Sequence, residues 1–319
     1  MRPRSPAVRL LIAAFAVAAF AVSGPARPAA EDLNKELRLA AMIGDTETVD
    51  ALLNAGAEID SASHFGKTAL MMAVESDSLD TVALLLRRGA DVNARTVAGC
   101  TALTFAAENG HVGLSAMLIE QGANVQERTR VGRDALMIAS RYGIAQVVQQ
   151  LLFKGADPKD SDHEGRSALM QAASYGHIEV VELLLRHGAN IDARDLEGDT
   201  ALIMVADQGR TDAVETLLAH GADIDARDQL GDTALLWAIA SGHGDTARLL
   251  LERGAEPNAQ DEDGTSALMQ AVRHGRNELI GVLMQNQADP TLTDSEGHTA
   301  ADLARASGNG EALSTLVPQ

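Results

Sequence analysis

The sequence predicts an all-α solenoid of stacked helix–turn–helix repeats, and three observations carry that prediction. A five-residue pattern, Gly66-Lys67-Thr68-Ala69-Leu70, returns every 33 residues, with its glycine at Gly99, Gly132, Gly165, Gly198, Gly231, Gly264 and Gly297. A second marker follows 23 residues behind, as Gly89-Ala90, Gly122-Ala123, Gly155-Ala156, Gly188-Ala189, Gly221-Ala222 and Gly254-Ala255. Aromatic residues make up only 3% of the 319-residue chain, which suits thin helices packed closely through small side chains. Self-similarity at this fixed period marks a stack in which each repeat contacts its neighbours rather than a common core. Such stacks mostly present long binding surfaces, with no cleft built for chemistry.

The first thirty residues lie outside the array. Arg2, Arg4 and Arg9 make a basic start, Leu10 to Val22 is an uninterrupted apolar stretch, and Ser23, Gly24, Pro25, Ala26, Ala29 and Ala30 follow. This is the layout of a secretory signal peptide. The apolar stretch of 13 residues is short of the ~20 that a spanning helix needs, so no stable membrane insertion is expected after cleavage. Cleavage after Ala21, Ser23, Ala26 or Ala30 is equally compatible with the sequence. The expected route is Sec export to the periplasm, with secretion as the alternative. Residues 31–319 form the array, with repeats at 33–65, 66–98, 99–131, 132–164, 165–197, 198–230, 231–263, 264–296 and 297–319.

The repeat at 198–230 shows how one module works. Gly198 opens a turn, and Thr200 is placed to cap the first helix by accepting a bond from a free backbone N–H. The same offset holds Thr68, Thr101, Asp134, Ser167, Thr233, Ser266 and Thr299, all good caps. Ala201, Leu202, Val205 and Ala206 form one apolar face at helical spacing, and Gly209 ends that helix. Val214, Leu217 and Leu218 form the apolar face of a second helix, which Gly221 ends. Residues 222–228 then run out as an extended finger. At the chain ends the pattern relaxes. Leu33 to Phe65 keeps Leu52-Leu53 and Gly56-Ala57 but lacks an opening glycine, and the last repeat places Ala301 and Asp302 where leucine and an apolar residue usually stand. Gln287 also replaces the marker glycine before it. These departures are what solvent-facing end caps require.

Spacing, turn glycines, paired leucines and the finger Gly89-Ala90-Asp91-Val92-Asn93 together resemble the ankyrin repeat over residues 32–319. One departure is consistent. The family favours Thr-Pro-Leu-His at the start of the first helix, whereas this chain has Thr-Ala-Leu followed by Met71, Thr104, Met137, Met170, Ile203, Leu236 or Met269. Apolar packing must then replace the family's inter-repeat histidine bonds. With an export signal in front, the chain resembles bacterial periplasmic ankyrin-repeat proteins. That resemblance implies a protein-binding role, and for some relatives a link to catalase and peroxide defence.

The formal net charge is −19, or −23 without residues 1–30, which argues against nucleic-acid binding because phosphate contacts need an electropositive face. A lone cysteine, Cys100, excludes an internal disulfide and reads as a tolerated thiol or a redox-active one. Nine histidines invite a metal reading. His111, His177 and His243 follow the turn after the first helix, where the family uses histidine structurally. His187 and His220 precede the later turn glycine and read as helix C-terminal residues. His64, His163, His274 and His298 fall in the fingers or groove. A metal site usually needs three or four ligands, and neither a phosphate loop nor a nucleophile elbow occurs, so no catalytic residue and no cofactor is expected. Trp237 reads equally as packing or as a contact residue.

The strongest functional signal lies at the positions that face outward in such stacks. Arg95, Arg128, Arg130, Arg133, Arg141, Tyr142, Arg166 and Tyr175 gather there in an otherwise acidic protein. Arginine and tyrosine are the types that anchor interfaces, and a guanidinium reads carboxylates bidentately. Local acids such as Glu127, Asp134 and Glu164 could instead neutralise these arginines. Further along, Arg194-Asp195 and Arg227-Asp228 read as a salt-bridge ladder between repeats. The expected function is an exported, non-catalytic scaffold that binds an acidic or mixed segment of another protein. The alternatives are an accessory to a periplasmic catalase or other oxidative-stress enzyme, a metal-binding protein using the repeated histidines, and a secreted effector.

Overall fold

The structure, a computed structural model, describes residues 30–317. The leader expected over residues 1–30 lies outside them except for Ala30, the first residue of α1 (Ala30–Ile43). The described residues contain eighteen α-helices and, in place of strands, three isolated antiparallel bridges. In chain order α1 is followed by α2 (Thr46–Asn54), α3 (Ala69–Glu75), α4 (Leu79–Arg87), α5 (Ala102–Asn109), α6 (Val112–Glu120), α7 (Ala135–Arg141), α8 (Ala145–Phe153) and α9 (Ala168–Ser174). Then come α10 (Ile178–Arg186), α11 (Ala201–Asp207), α12 (Thr211–Ala219), α13 (Ala234–Ser241), α14 (Gly244–Glu252), α15 (Ala267–Arg273), α16 (Asn277–Gln285), α17 (Ala300–Ser307) and α18 (Gly310–Leu316). They fall into two compact units, one of residues 30–139 and 146–156, the other of residues 140–145 and 157–317.

In the first unit, α1, α3 and α5 form one layer and α2, α4 and α6 a second. The same two layers recur in the second unit, where α9, α11, α13, α15 and α17 pack in sequence and α10, α12, α14, α16 and α18 back them. The sequence dictates this locally. Every first helix from α3 onward starts behind a side-chain cap, such as Thr200 Oγ1 accepting from Ile203 N–H at 3.3 Å and Asp134 Oδ1 accepting from Met137 N–H at 2.8 Å. The small residue after the cap and the leucine beside it are buried throughout, from Ala69-Leu70 to Ala267-Leu268. Met71, Met170 and Met269 are buried as well, so they fill the layer that the missing histidines leave. A fully buried leucine or methionine of this kind contributes about 1.5–3 kcal/mol. At the N-terminal end, α1 buries Leu33, Leu37, Ala40 and Ala41 and exposes Glu31, Asp32, Lys35 and Glu36, a polar capping face.

The finger motif has a specific job. Its first acidic or amide residue turns the chain, as Asp91 Oδ1 accepts from Asn93 N–H at 2.9 Å. Its last reaches the next repeat, as Asn93 Oδ1 accepts from Asn124 N–H at 2.8 Å and Asp192 Oδ1 from Asp223 N–H at 3.0 Å. Backbone bonds then link consecutive hairpin tips, from Val97 N–H to Phe65 O at 2.9 Å in the first unit and from Leu196 N–H to Glu164 O at 2.9 Å in the second. Within each hairpin of the second unit one aspartate closes the loop. Asp195 Oδ1 accepts from Glu197 N–H at 2.9 Å and Asp199 N–H at 3.0 Å, and Asp228 and Asp261 do the same one and two repeats later. In the first unit Ser63, Thr96 and Thr129 hold that place with a hydroxyl.

The expected salt-bridge ladder takes a different form. Arg194 donates to the carbonyls of Gly198, at 2.8 Å, and of Arg227; Arg227 donates to those of Gly231, at 3.2 Å, and of Gln260, at 2.5 Å. The adjacent aspartates are occupied by hairpin N–H groups, so the guanidinium forks bind backbone oxygens of their own and the next hairpin.

Candidate functional site

The hairpins and first helices of the second unit enclose an open depression of about 470 Å³. Its floor is Met170, Ile203 and Met204, and its walls carry Tyr175 and Trp237. Its charged lining comprises Arg141, Arg166 and Arg210 together with Glu197, Asp199 and Asp207. The floor follows from the helical period: Met170, Ile203 and Leu236 point into the layer, and the next residue, Gln171, Met204 or Trp237, turns toward the groove. Trp237 is both packing and lining. Its Nε1 donates to Asp228 Oδ2 at 2.7 Å, fixing the indole against the hairpin.

Most of the arginines expected to meet a partner are engaged within the protein. In the first unit Arg95 Nη1 lies 3.0 Å from Glu127 Oε2 and Nη2 donates to Arg128 O at 2.5 Å. Arg130 is exposed, with its backbone N–H donated to Ala98 O at 2.8 Å, and Arg133 is half-buried, its N–H bonded to Thr129 Oγ1. In the second unit Arg166 lies 3.2 Å from Glu164 Oε2 and 3.7 Å from Asp195 Oδ2. The Arg141 guanidinium sits 4.6 Å above the Tyr175 ring centre, and its Nη1 donates to Gln171 Oε1 at 3.4 Å. The His177 ring stacks on Tyr175 at 6.4 Å, while its Nε2 bonds Arg141 O at 3.0 Å. Tyr142 and Tyr175 remain 46% and 44% exposed. Thus Arg141, Arg166 and Tyr175 are brought to one depression. Arg95, Arg128, Arg130 and Arg133 belong to the other unit.

The carboxylates of the groove were not read from the sequence. Asp199, which lines the depression, and Asp232, on the next hairpin, follow the repeat glycine directly, and both are half-buried. Neither carboxylate accepts a hydrogen bond from a described residue. Burial pushes Asp199 up to about 6, and the charges of Asp195, Asp228, Glu197 and Asp207 add to the effect. Burial likewise pushes Asp232 up to about 7, with Asp228, Asp261 and Asp199 adding and Arg227 opposing. Lining up the residue after each glycine would have exposed the pattern in this unit: Arg166, Asp199, Asp232, Thr265, His298.

His111, His177, His187, His220 and His243 sit at helix ends. The His243 ring lies against Gly209, His187 and His220 cap α10 and α12, and His111 Nδ1 is 3.4 Å from Asp77 Oδ1. Among the described residues, the group of three potential ligands within reach of one ion is Asp195, Glu197 and Asp199, without a histidine. Its geometry is accounted for by hairpin closure at Asp195. Cys100 is half-buried, and its N–H donates to Thr96 Oγ1 at 2.9 Å. No helix of the described residues is long and apolar enough to cross a membrane.

Comparison with known proteins gives consistent results. A family model described as ankyrin repeats (3 copies) matches residues 37–129, 117–195, 136–228 and 169–261. A second, ankyrin repeats (many copies), matches residues 250–304. The crystal structure of the human ASB11 ankyrin repeat domain is similar over 69% of this chain and 98% of its own length, at 25% identity and a TM-score of 0.63. No curated protein matches the chain.

Proposed function

The chain belongs to the ankyrin-repeat family, whose repeats generally serve as protein–protein interaction scaffolds, and from that premise we propose that it is an exported, non-catalytic scaffold holding a partner protein against its hairpins and first helices. The observation that carries this reading is the open depression of about 470 Å³, which pairs an apolar floor with two aromatic walls and charged rims. Concave sites of this make-up bind, and Tyr, Trp and Arg are the side chains that dominate interface energy. Export rests on the basic start and the apolar run of residues 10–22. The periplasm is the proposed location.

Site-specific photo-crosslinking tests the groove. A crosslinking residue at Gln208, which lines the depression, should capture a discrete protein in the source cells. The same residue at Glu182, exposed on α10, should not. No adduct from position 208, or equal adducts from both, refutes groove binding. N-terminal sequencing of the fractionated protein tests export separately: a chain beginning at Met1 in the cytosol contradicts it.

A further inference from the structure

We propose that the groove of the second unit recognises a basic side chain, a lysine or arginine of an extended partner segment, with its aliphatic stem along Met204 and Trp237 and its cation at Asp199, on the side of the next hairpin, which carries Asp232. This rests on the scaffold reading above and names the chemistry of the partner that fits it. The sequence alone pointed to an acidic or mixed partner segment, because the arginines are conspicuous there. The internal partners of those arginines and the unpaired carboxylates favour the opposite sign.

The cations of the groove already have partners within the chain. Arg166 faces Glu164 at 3.2 Å and Asp195 at 3.7 Å, and Arg141 lies over Tyr175. Arg210 Nε donates to Gln208 Oε1 at 3.0 Å. Arg227, the cation that opposes the Asp232 charge, donates to two backbone carbonyls. The anions are not compensated in this way. Asp199 and Asp232 make no ion pair among the described residues, and each is surrounded mainly by other carboxylates. Their raised proton affinity comes first from burial and then from the neighbouring carboxylates, so the folded chain holds negative charge there without an ion pair to offset it. A partner's ammonium or guanidinium supplies the missing charge. The indole of Trp237, fixed by Asp228, adds a flat apolar and π-rich wall of the kind that attracts such groups. An acidic segment laid along the same wall would bring like charges together, which disfavours it.

The test uses a random 12-residue peptide library displayed on phage, selected against the purified full chain. Binders that also hold Gln208→Trp, whose indole would fill the depression, are removed by counter-selection. The groove-dependent binders are expected to share a lysine or arginine. In the strongest peptide, replacing that residue by glutamine should weaken binding at least tenfold, and Asp199→Asn with Asp232→Asn should weaken the unaltered peptide similarly. Helical circular dichroism of the variant checks that it remains folded. Groove-dependent binders without a basic residue, or a glutamine substitution that changes affinity less than twofold, overturn this inference while leaving groove binding intact. Failure to select any groove-dependent peptide overturns both.

Discussion

Neutralising the two orphan carboxylates should stabilise the protein, and only above their titration range. In the folded chain Asp199 titrates at about 6 and Asp232 at about 7, against an ordinary value of 3.8. Between these limits the native state binds protons that the unfolded state has released, so stability falls as pH rises from about 4 to about 7. At 1.36 kcal/mol per tenfold change in proton affinity, the gaps correspond to about 3 and about 4 kcal/mol. Both groups keep part of their hydration and share Asp228 as a neighbour, so screening and coupling reduce the combined effect to about 2 kcal/mol. Asp199→Asn with Asp232→Asn should therefore gain about 2 kcal/mol at pH 8 and close to nothing at pH 4. Urea titrations of the full chain at both pH values, followed by helical circular dichroism, measure the difference. A variant no more stable than the parent at pH 8 refutes the reasoning, as does a gain of equal size at pH 4.

Gln287 stands at φ +67° where the preceding repeats have glycine, so Gln287→Gly should raise stability by about 1 kcal/mol in thermal unfolding. Gly209→Ala should cost more than Gly221→Ala, by about 1–2 kcal/mol, because both glycines have positive φ but a Cβ at 209 would lie 2.3 Å from His243 Nδ1 and one at 221 meets nothing. Thr200→Ala, which removes the cap of α11, should cost about 1 kcal/mol by the same measurement. A basic peptide selected on the groove should bind more tightly at pH 8 than at pH 5, since Asp199 and Asp232 ionise between those limits under the charges of Asp195, Glu197, Asp207, Asp228, Asp261 and Arg227; calorimetric titration at the two pH values reads this directly.

Much of the fold was legible in the sequence because its determinants are local. A cap and its target N–H are three residues apart, as at Thr200 and Ile203, and the apolar face of a helix repeats within two turns. The finger motif was recognisable as a pattern, but its meaning was not. That Asn93 accepts from Asn124 depends on the register between repeats, which periodicity implies without specifying partners. The groove was legible only in part. Arg141, Arg166, Tyr175 and Trp237 could be placed on one face by repeat offset. The occupation of those arginines could not, because a guanidinium chooses among carboxylates, carbonyls and aromatic faces through rotamers. Arg194 and Arg227 show the same limit, for each ignores the aspartate beside it and binds backbone. Asp199 and Asp232 escaped notice because exposed acids recur in every finger, and half-burial is what distinguishes these two.

Hydrogen–deuterium exchange of the protein with and without its crosslinked partner tests the central claim most directly. The account predicts slower exchange in the hairpins and first helices between Arg166 and Trp237, with α10 and α12 unchanged. Protection confined to α10 and α12, or no protection in the hairpins, would contradict it.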